Sequence, residues 1–342
     1  MPATSANAIT AIPGLKVGNA HDATLCSGVT VLLSEHPFVA AVDVRGGAPG
    51  TRETDAIALT GTVEEAHAIV LAGGSAFGLA AASGVQAWLA QRGVGFAVGS
   101  ARVPIVPAAI LFDLLNGGNK TWGAHSPYEA LGRSACEAAS VHCNIGSVGA
   151  GFGATTALHR GGLGTALHQW DDGLLVGALA AVNPLGSVTI GSSPHFWAGP
   201  FEQGAEFGGR GAPKMWPADA LDLRVKGTTV HSAVSQNTTI AIVATNARLT
   251  KREAHRLAVM AQTGLARAIY PVHTPLDGDV VFAIATGDKA LDGSPGQLAM
   301  LGAYAANTLA RAVARGVYEA EPAPSCWTGP PSYRCVFSLQ GS

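Results

Sequence analysis

The chain has 342 residues, 48% of them hydrophobic and 13% charged, with a formal net charge of −2. Roughly a quarter charged is usual for a soluble domain, so the shortage predicts surface buried between subunits. With no basic field and no Lys/Arg run, the sequence argues against a nucleic-acid partner.

The N-terminus shows no charged segment leading into an apolar core, so no signal peptide is read. No unbroken apolar run of 18 residues is present either, which argues against a membrane helix. A cytoplasmic protein with no membrane partner is the expectation. Five cysteines (Cys26, Cys136, Cys143, Cys326, Cys335) without a CxxC spacing read as reduced thiols.

In chain order, residues 28–35 (GVTVLLSE) and 38–44 (FVAAVDV) read as strands, followed by 68–74 (AIVLAGG). A helix is predicted over 75–93, opened by Ser75 as N-cap and closed by a glycine. Residues 94–99 (VGFAVG) read as a further strand. A helix over 126–140 carries Ser126 and Glu129 as a capping box, with Pro127 at its first position. Residues 174–183, 239–246 and 279–287 read as strands whose continuous apolar character calls for cover on both faces. A helix over 250–269 has Thr250 and Glu253 as its box, and Leu257, Met260, Ala261, Gly264, Leu265 and Ala268 along one face. Gly264 there would admit a close neighbour. A last helix spans 295–317, with Leu298, Leu301, Ala305 and Leu309 on its buried stripe. Glycine and proline clusters place loops at 46–50, 115–122, 146–164 and 191–213, and a polar loop region is read near 187–232. The pattern predicts one layered α/β or α+β domain over 1–342.

Three motifs are set aside. GSVGAGFG (146–153) has G-x-G-x-G spacing rather than G-x-G-x-x-G and no acidic residue about twenty positions on after a βα turn, so it reads as close packing or a tight turn. AGGSAFG (72–78) lacks the final glycine of a nucleophile elbow at Phe77, and GNK (118–120) is no phosphate loop. His273, Asp277 and Asp279 make a thin metal set. No metal and no cofactor are expected.

The informative stretch is SAVSQNTTIAIVATNARLT (232–250), in which four polar residues lead directly into a sheet core. Two readings are open. Asn237, Thr238 and Thr239 form an ordinary turn into an edge, or the Asn237–Thr238 bond is cut by the protein itself. Cutting would solve a chemical difficulty. A threonine hydroxyl needs a base, and a freed α-amine, with a pKa of about 7.7–8.0, supplies one on the same residue. Asp277-Gly278-Asp279 likewise reads either as an Asp-Gly turn or as a pair of carboxylates at the same sheet end. The second holds if the 279–287 strand lies beside 239–246.

NTTIAIVATNARLT and RLAVMAQTGLARAIYPVHTPLDGDVVFAIATG resemble the L-aminopeptidase/D-esterase family, which includes β-peptidyl aminopeptidases and nylon-oligomer hydrolases. GLKVGNAHD, VDVRGGAPGTRETD (42–55), VLAGGSAFGLAAASGV (70–85), GSVGAGFGATT (146–156) and AVNPLGSV (181–188) follow the family order, so the resemblance spans about residues 13–318. It implies an α+β, four-layer αββα sandwich of the N-terminal-nucleophile-hydrolase kind. It also implies self-cleavage into an α piece, 1–237, and a β piece, 238–342, and a homotetramer of αβ units.

By matching position, Thr238 would be the nucleophile, Asn183 would help hold the oxyanion, and Asp277 and Asp279 would match the acidic pair of the nylon-oligomer branch. The implied partner is a small peptide, amide or ester substrate. The expected activity is that of an aminopeptidase for small, D- or β-, N-terminal residues. The alternatives are an amidase for ω-amino-acid oligomers and a non-catalytic scaffold of the same fold. Two positions depart from the family: Phe112 where a tyrosine is frequent, removing any hydroxyl donor, and Arg160 where a lysine is usual, removing any proton shuttle. Phe112, Arg160 and Thr239 are therefore supporting candidates.

Overall fold

A computed structural model describes residues 7–227 and 237–337. Eleven strands and five α-helices are formed among the described residues. The strands are β1 (Leu15–Asp22), β2 (Ser27–Val44), β3 (Thr51–Arg52), β4 (Glu65–Ala72), β5 (Phe96–Val98), β6 (Ala101–Val103), β7 (Ala108–Ile110), β8 (Gly162–Gln169), β9 (Leu175–Asn183), β10 (Thr238–Ala247) and β11 (Val280–Lys289). The helices are α1 (Ala81–Ala90), α2 (Tyr128–Glu137), α3 (Lys251–Ala268), α4 (Pro295–Tyr318) and α5 (Tyr333–Phe337).

The two runs expected at 28–35 and 38–44 are halves of the single long strand β2, whose pairing with β4 shifts between Leu33 and Phe38. Exposed Glu35, His36 and Pro37 occupy the irregularity. The first half of β2 pairs with β1 and β4, and the second half pairs with β11. β2 thus joins a sheet ordered β3-β7-β4-β2-β1 to one ordered β2-β11-β10-β9-β8.

Side chains alternate across each strand, and the alternation sorts the interior into three apolar cores. Ile240, Ile242, Val280 and Phe282 of one sheet pack with Leu32, Ile69, Leu71 and Val17 of the other. Ala241, Val243, Val281 and Ala283 face Leu257, Ala261 and Leu265 of α3 and Leu301, Leu309 and Val313 of α4. Val29, Val31, Val70 and Ala108 face Val85 and Leu89 of α1 and Ala135 of α2. The layers therefore run helix, sheet, sheet, helix: the expected αββα sandwich.

α3 starts as its sequence predicts, with both hydrogen bonds of the Thr250–Glu253 box made. It crosses over to bring β11 parallel to β10. Gly264 admits the close neighbour: a Cβ there would lie 2.3 Å from the Ala306 carbonyl oxygen of α4.

Four local expectations are corrected. Ser75 is not a helix cap. It has φ 53, its N–H donates to Leu111 O at 2.9 Å, and Gly74 precedes a 3-10 turn over Ser75–Ala80 that leads into α1. No Ser126–Glu129 box forms, because α2 begins at Tyr128 with Pro127 as a cap that makes no side-chain hydrogen bond. Residues 94–99 give only β5, which pairs with β6 as an exposed hairpin outside the two sheets. β8 emerges within the run expected to be a glycine-rich loop. Of the polar region near 187–232, residues 228–232 lie outside the described residues, as do 233–236 of the entry to β10.

Candidate active site

The site lies where β9, β10 and β11 share an end. In the β9–β10 register Asn183 stands opposite Thr238, and Asn237 bridges to Asp277 just before β11. Thr238, Asn237, Asn183, Asp277 and Asp279 are therefore together, all buried. The strand adjacency on which the acidic-pair reading depended is present.

Thr238 Oγ1 donates to the main-chain oxygen of Asn237, the carbonyl of the bond that precedes it. That same oxygen accepts the Gly278 N–H at 2.8 Å. Gly278 is a glycine for steric reasons, since a Cβ there would stand 2.7 Å from Thr238 Oγ1 and 2.6 Å from Ala48 O. The Asn237 N–H donates to Leu276 O at 3.0 Å. The hydroxyl and the carbonyl it faces are thus fixed from both sides.

Both carboxylates are held by donors. Asp279 Oδ1 accepts Thr239 N–H at 2.7 Å, and its Oδ2 accepts His273 N–H at 3.1 Å and contacts His273 Nδ1 at 2.9 Å. His273 adopts φ 56. Asp277 Oδ1 accepts Leu185 N–H at 2.9 Å, and its Oδ2 accepts Thr274 N–H at 3.1 Å and Thr274 Oγ1–H at 2.6 Å. Burial, reinforced by the neighbouring Asp279 charge, raises the Asp277 carboxyl above its ordinary pKa. The acidic loop is braced from outside by the RGGAPG segment, with Arg45 N–H on Asp279 O at 3.0 Å and Ala48 N–H on Asp277 O at 2.8 Å. Thr239 Oγ1 is buried without a hydrogen-bond partner. No group of three or more His, Cys, Asp and Glu side chains able to hold a metal ion is found among the described residues.

Asn183 Oδ1 accepts Thr155 N–H at 2.9 Å, and its Nδ2 donates to Phe112 O at 3.0 Å. Lys226 completes the group: its Nζ donates to Asn183 Oδ1 at 2.9 Å and to Asn183 O at 3.1 Å. Burial pulls this ammonium down to about 7, against the opposing pull of Asp277 and Asp113.

A cavity of about 270 Å³ opens beside Asn237, lined by Phe112, Asp113, Asn116, Thr155, Lys226 and Pro330 among others. Asp113 is a buried carboxylate that accepts Ser27 Oγ–H at 2.6 Å and Gly74 N–H at 2.8 Å. Burial raises its pKa. Arg160 does not approach Thr238. It is buried, donating to Glu321 O at 2.9 Å, Pro322 O at 3.0 Å and Phe152 O at 2.8 Å, and its guanidinium lies 4.5 Å from the centre of the Trp327 ring.

Lys226, Asp113, Thr155 and the Gly278 N–H were not singled out from the sequence. Asp113 had a faint signal as a lone acid in an apolar run. Lys226 had none, because a lysine in a polar loop is usually solvated.

Comparison with known proteins agrees with this architecture. The model of peptidase family S58 matches residues 7–326. An uncharacterized aminopeptidase of Mycobacterium tuberculosis is 42% identical, over 97% of this chain and 98% of its own length. A 6-aminohexanoate-oligomer endohydrolase of Kocuria sp. is 31% identical, over 83% of this chain and 76% of its own. Among solved structures, a β-aminopeptidase of Burkholderia sp. superposes with a TM-score of 0.66 at 22% identity, covering 98% of this chain and 94% of its own. The L-aminopeptidase D-Ala-esterase/amidase of Ochrobactrum anthropi, described as a variant of the N-terminal-nucleophile hydrolase fold, gives 0.68 at 19% identity with the same coverage. The sandwich is therefore that hydrolase fold, and the chain belongs to peptidase family S58.

Proposed function

We propose that this amide hydrolase cuts its own Asn237–Thr238 bond and then works as an aminopeptidase with Thr238 as N-terminal nucleophile. The observation that carries the reading is the paired contact on the Asn237 carbonyl, Thr238 Oγ1 on one side and Gly278 N–H on the other. Attack of Oγ1 on that carbonyl carbon puts negative charge on an oxygen that already has a backbone donor, the arrangement that stabilises a tetrahedral intermediate. Collapse moves the acyl group from nitrogen to oxygen. Water then hydrolyses the ester, releasing residues 1–237 with a new carboxylate and leaving Thr238 with a free amine. These pieces, and the chain as one integrated domain before the cut, are part of the proposal.

In turnover the amine takes the Oγ1 proton and the substrate acyl group occupies the place that Asn237 vacated. The Gly278 N–H and the Asn183 group serve its oxyanion. Asp279 stands on Thr239 N–H, next to the new terminus, and with Asp277 would orient an ammonium, either that of Thr238 or that of the substrate. A cavity of about 270 Å³ suits short peptides or amino-acid amides and esters with small, D- or β-, N-terminal residues. The kinship with a 6-aminohexanoate-oligomer endohydrolase favours a second reading, an ω-amino-acid oligomer amidase on the same machinery.

Phe96, Val98, Met215 and Trp216 leave large apolar groups exposed. They support assembly of αβ units, for which a homotetramer in the cytoplasm is the proposed state. No helix among the described residues is long and apolar enough to cross a membrane.

A panel of aminoacyl p-nitroanilides and 6-aminohexanoate oligomers, assayed on matured protein, tests the reading. Hydrolysis of the anilides supports the aminopeptidase, and hydrolysis of the oligomers alone supports the second reading. No hydrolysis of either by cut protein contradicts both.

A further inference from the structure

We propose that Lys226 is the proton acceptor of the self-cleavage step. The proposal rests on the reading above and deepens it at the one point where that reading lacks a base. Until the Asn237–Thr238 bond is cut, Thr238 nitrogen is an amide and cannot take the proton of its own hydroxyl. Another group must.

The charged and titratable neighbours can be taken in turn. Asp277 and Asp279 have both oxygens committed to main-chain N–H groups, Thr274 and His273. Asp113 is committed to Ser27 and Gly74. His273 has Nδ1 on Asp279, which leaves Nε2 able to accept a proton. Its ring does not line the cavity beside Asn237, and the His273→Gln variant below tests it. Arg160 is tied to three main-chain carbonyls, and a guanidinium does not give up its proton in a protein.

Lys226 differs from all of these. Its Nζ rests at 2.9 and 3.1 Å on the two oxygens of Asn183, the residue registered opposite Thr238, and it lines the same cavity as Asn237. It is a donor to both contacts, so its lone pair becomes available once the ammonium loses a proton. An unperturbed lysine titrates near 10.4 and would rarely be neutral. Here burial, resisted by Asp277 and Asp113, pulls the group down to about 7, which puts neutral amine within range of physiological pH.

The step balances without a co-reactant. Neutral Nζ takes the proton from Thr238 Oγ1 as that oxygen bonds to the Asn237 carbonyl carbon. The electron pair of the C–N bond leaves to Thr238 nitrogen, which takes the same proton back from Nζ. Lys226 ends neutral, and an ester joins Asn237 to Thr238 Oγ1.

The test compares Lys226→Ala, Lys226→Arg, His273→Gln and Thr238→Ala with the parent chain by intact mass over time after purification. Lys226→Ala and Lys226→Arg are expected to cut at least about 10²-fold more slowly, as loss of a general base does. The arginine variant keeps a charge and donors but cannot accept the proton. Methylamine or ethylamine added to the uncut Lys226→Ala protein is expected to restore cutting at the 237–238 bond, at a rate that follows the unprotonated amine concentration.

Several results would overturn the proposal. They are cutting of either Lys226 variant at the parental rate, loss of cutting in His273→Gln alone, or an uncut Lys226→Ala protein with parental near-UV circular dichroism that no amine rescues. A parent chain that never cuts, or a Thr238→Ala chain that does, would instead sink the underlying reading.

Discussion

Arg160 and Lys226 are two cations near one cavity, and the protein treats them oppositely. Arg160 gives its guanidinium to three main-chain carbonyls and the face of Trp327, fastening the segment after α4, whose Gly329 and Pro330 wall the cavity. His159, next to Arg160 in sequence, packs its ring edge-on to Tyr333 and Phe337 with centroids 5.6 Å away in both cases. Lys226 Nζ donates to both oxygens of Asn183, the residue registered opposite Thr238. The cation that cannot titrate is used as a staple, and the one that can sits on Asn183, across the strand register from Thr238. The charge is the same; the difference in proton affinity decides the work.

If this division is right, changes on the Thr238 side should stop chemistry with little effect on melting, and changes on the Arg160 side should do the reverse. The largest effect is expected from Thr238→Ala, which should abolish both self-cleavage and turnover while melting remains close to that of the uncut parent. Electrophoresis and an anilide assay check it. Thr238→Ser should retain both activities, because it keeps the hydroxyl. Next comes Gly278→Ala. Its methyl group would stand 2.7 Å from Thr238 Oγ1 and displace the N–H on the Asn237 carbonyl, so cutting should slow by about 10²-fold or more, measured as the half-time of the full-length band.

On the other side, His159 is buried with neither ring nitrogen hydrogen-bonded, and burial pulls its pKa from 6.5 down to about 4. Between those values the unfolded chain binds the extra proton, so stability should fall as pH drops from 6.5 towards 4. The loss should be on the order of 2–3 kcal/mol. Thermal melts across that window should flatten in His159→Phe. The smallest effect is expected from Arg160→Lys, which keeps the positive charge. It loses the planar fork and part of the carbonyl bonding, about 1–2 kcal/mol. Melting should fall by a few degrees while the extent of self-cleavage is unchanged.

The same division explains what could be read without a structure. β10, β11 and α3 were legible because apolar runs and the Thr250–Glu253 box are local signals, and they brought the Asp-Gly-Asp loop to Thr238. The chemistry proposed for Thr238, a threonine with a freed amine, comes from residue types alone. β8 was hidden because Gly162 and Gly164 make its sequence look like a loop, although burial of the strand and its pairing with β9 decide its structure. The Ser126 box failed because the helix start is set at Pro127 and Tyr128, and Tyr128 is pulled into the core, where its hydroxyl donates to Ser27 at 2.9 Å. Lys226 was illegible for a deeper reason. The role proposed for it rests on a long-range contact with Asn183, 43 positions away, and on desolvation there, neither of which leaves a mark on neighbouring residues.

The central claim is that the Asn237–Thr238 bond is the one the protein breaks. Intact mass together with N-terminal sequencing of the smaller fragment from active protein tests it most directly. The account predicts pieces of about 24 and 11 kDa, in proportion to residues 1–237 and 238–342 of a 34.5 kDa chain, the smaller beginning Thr-Thr-Ile. A full-length chain that turns over substrate, or a fragment that begins at any other residue, would contradict it.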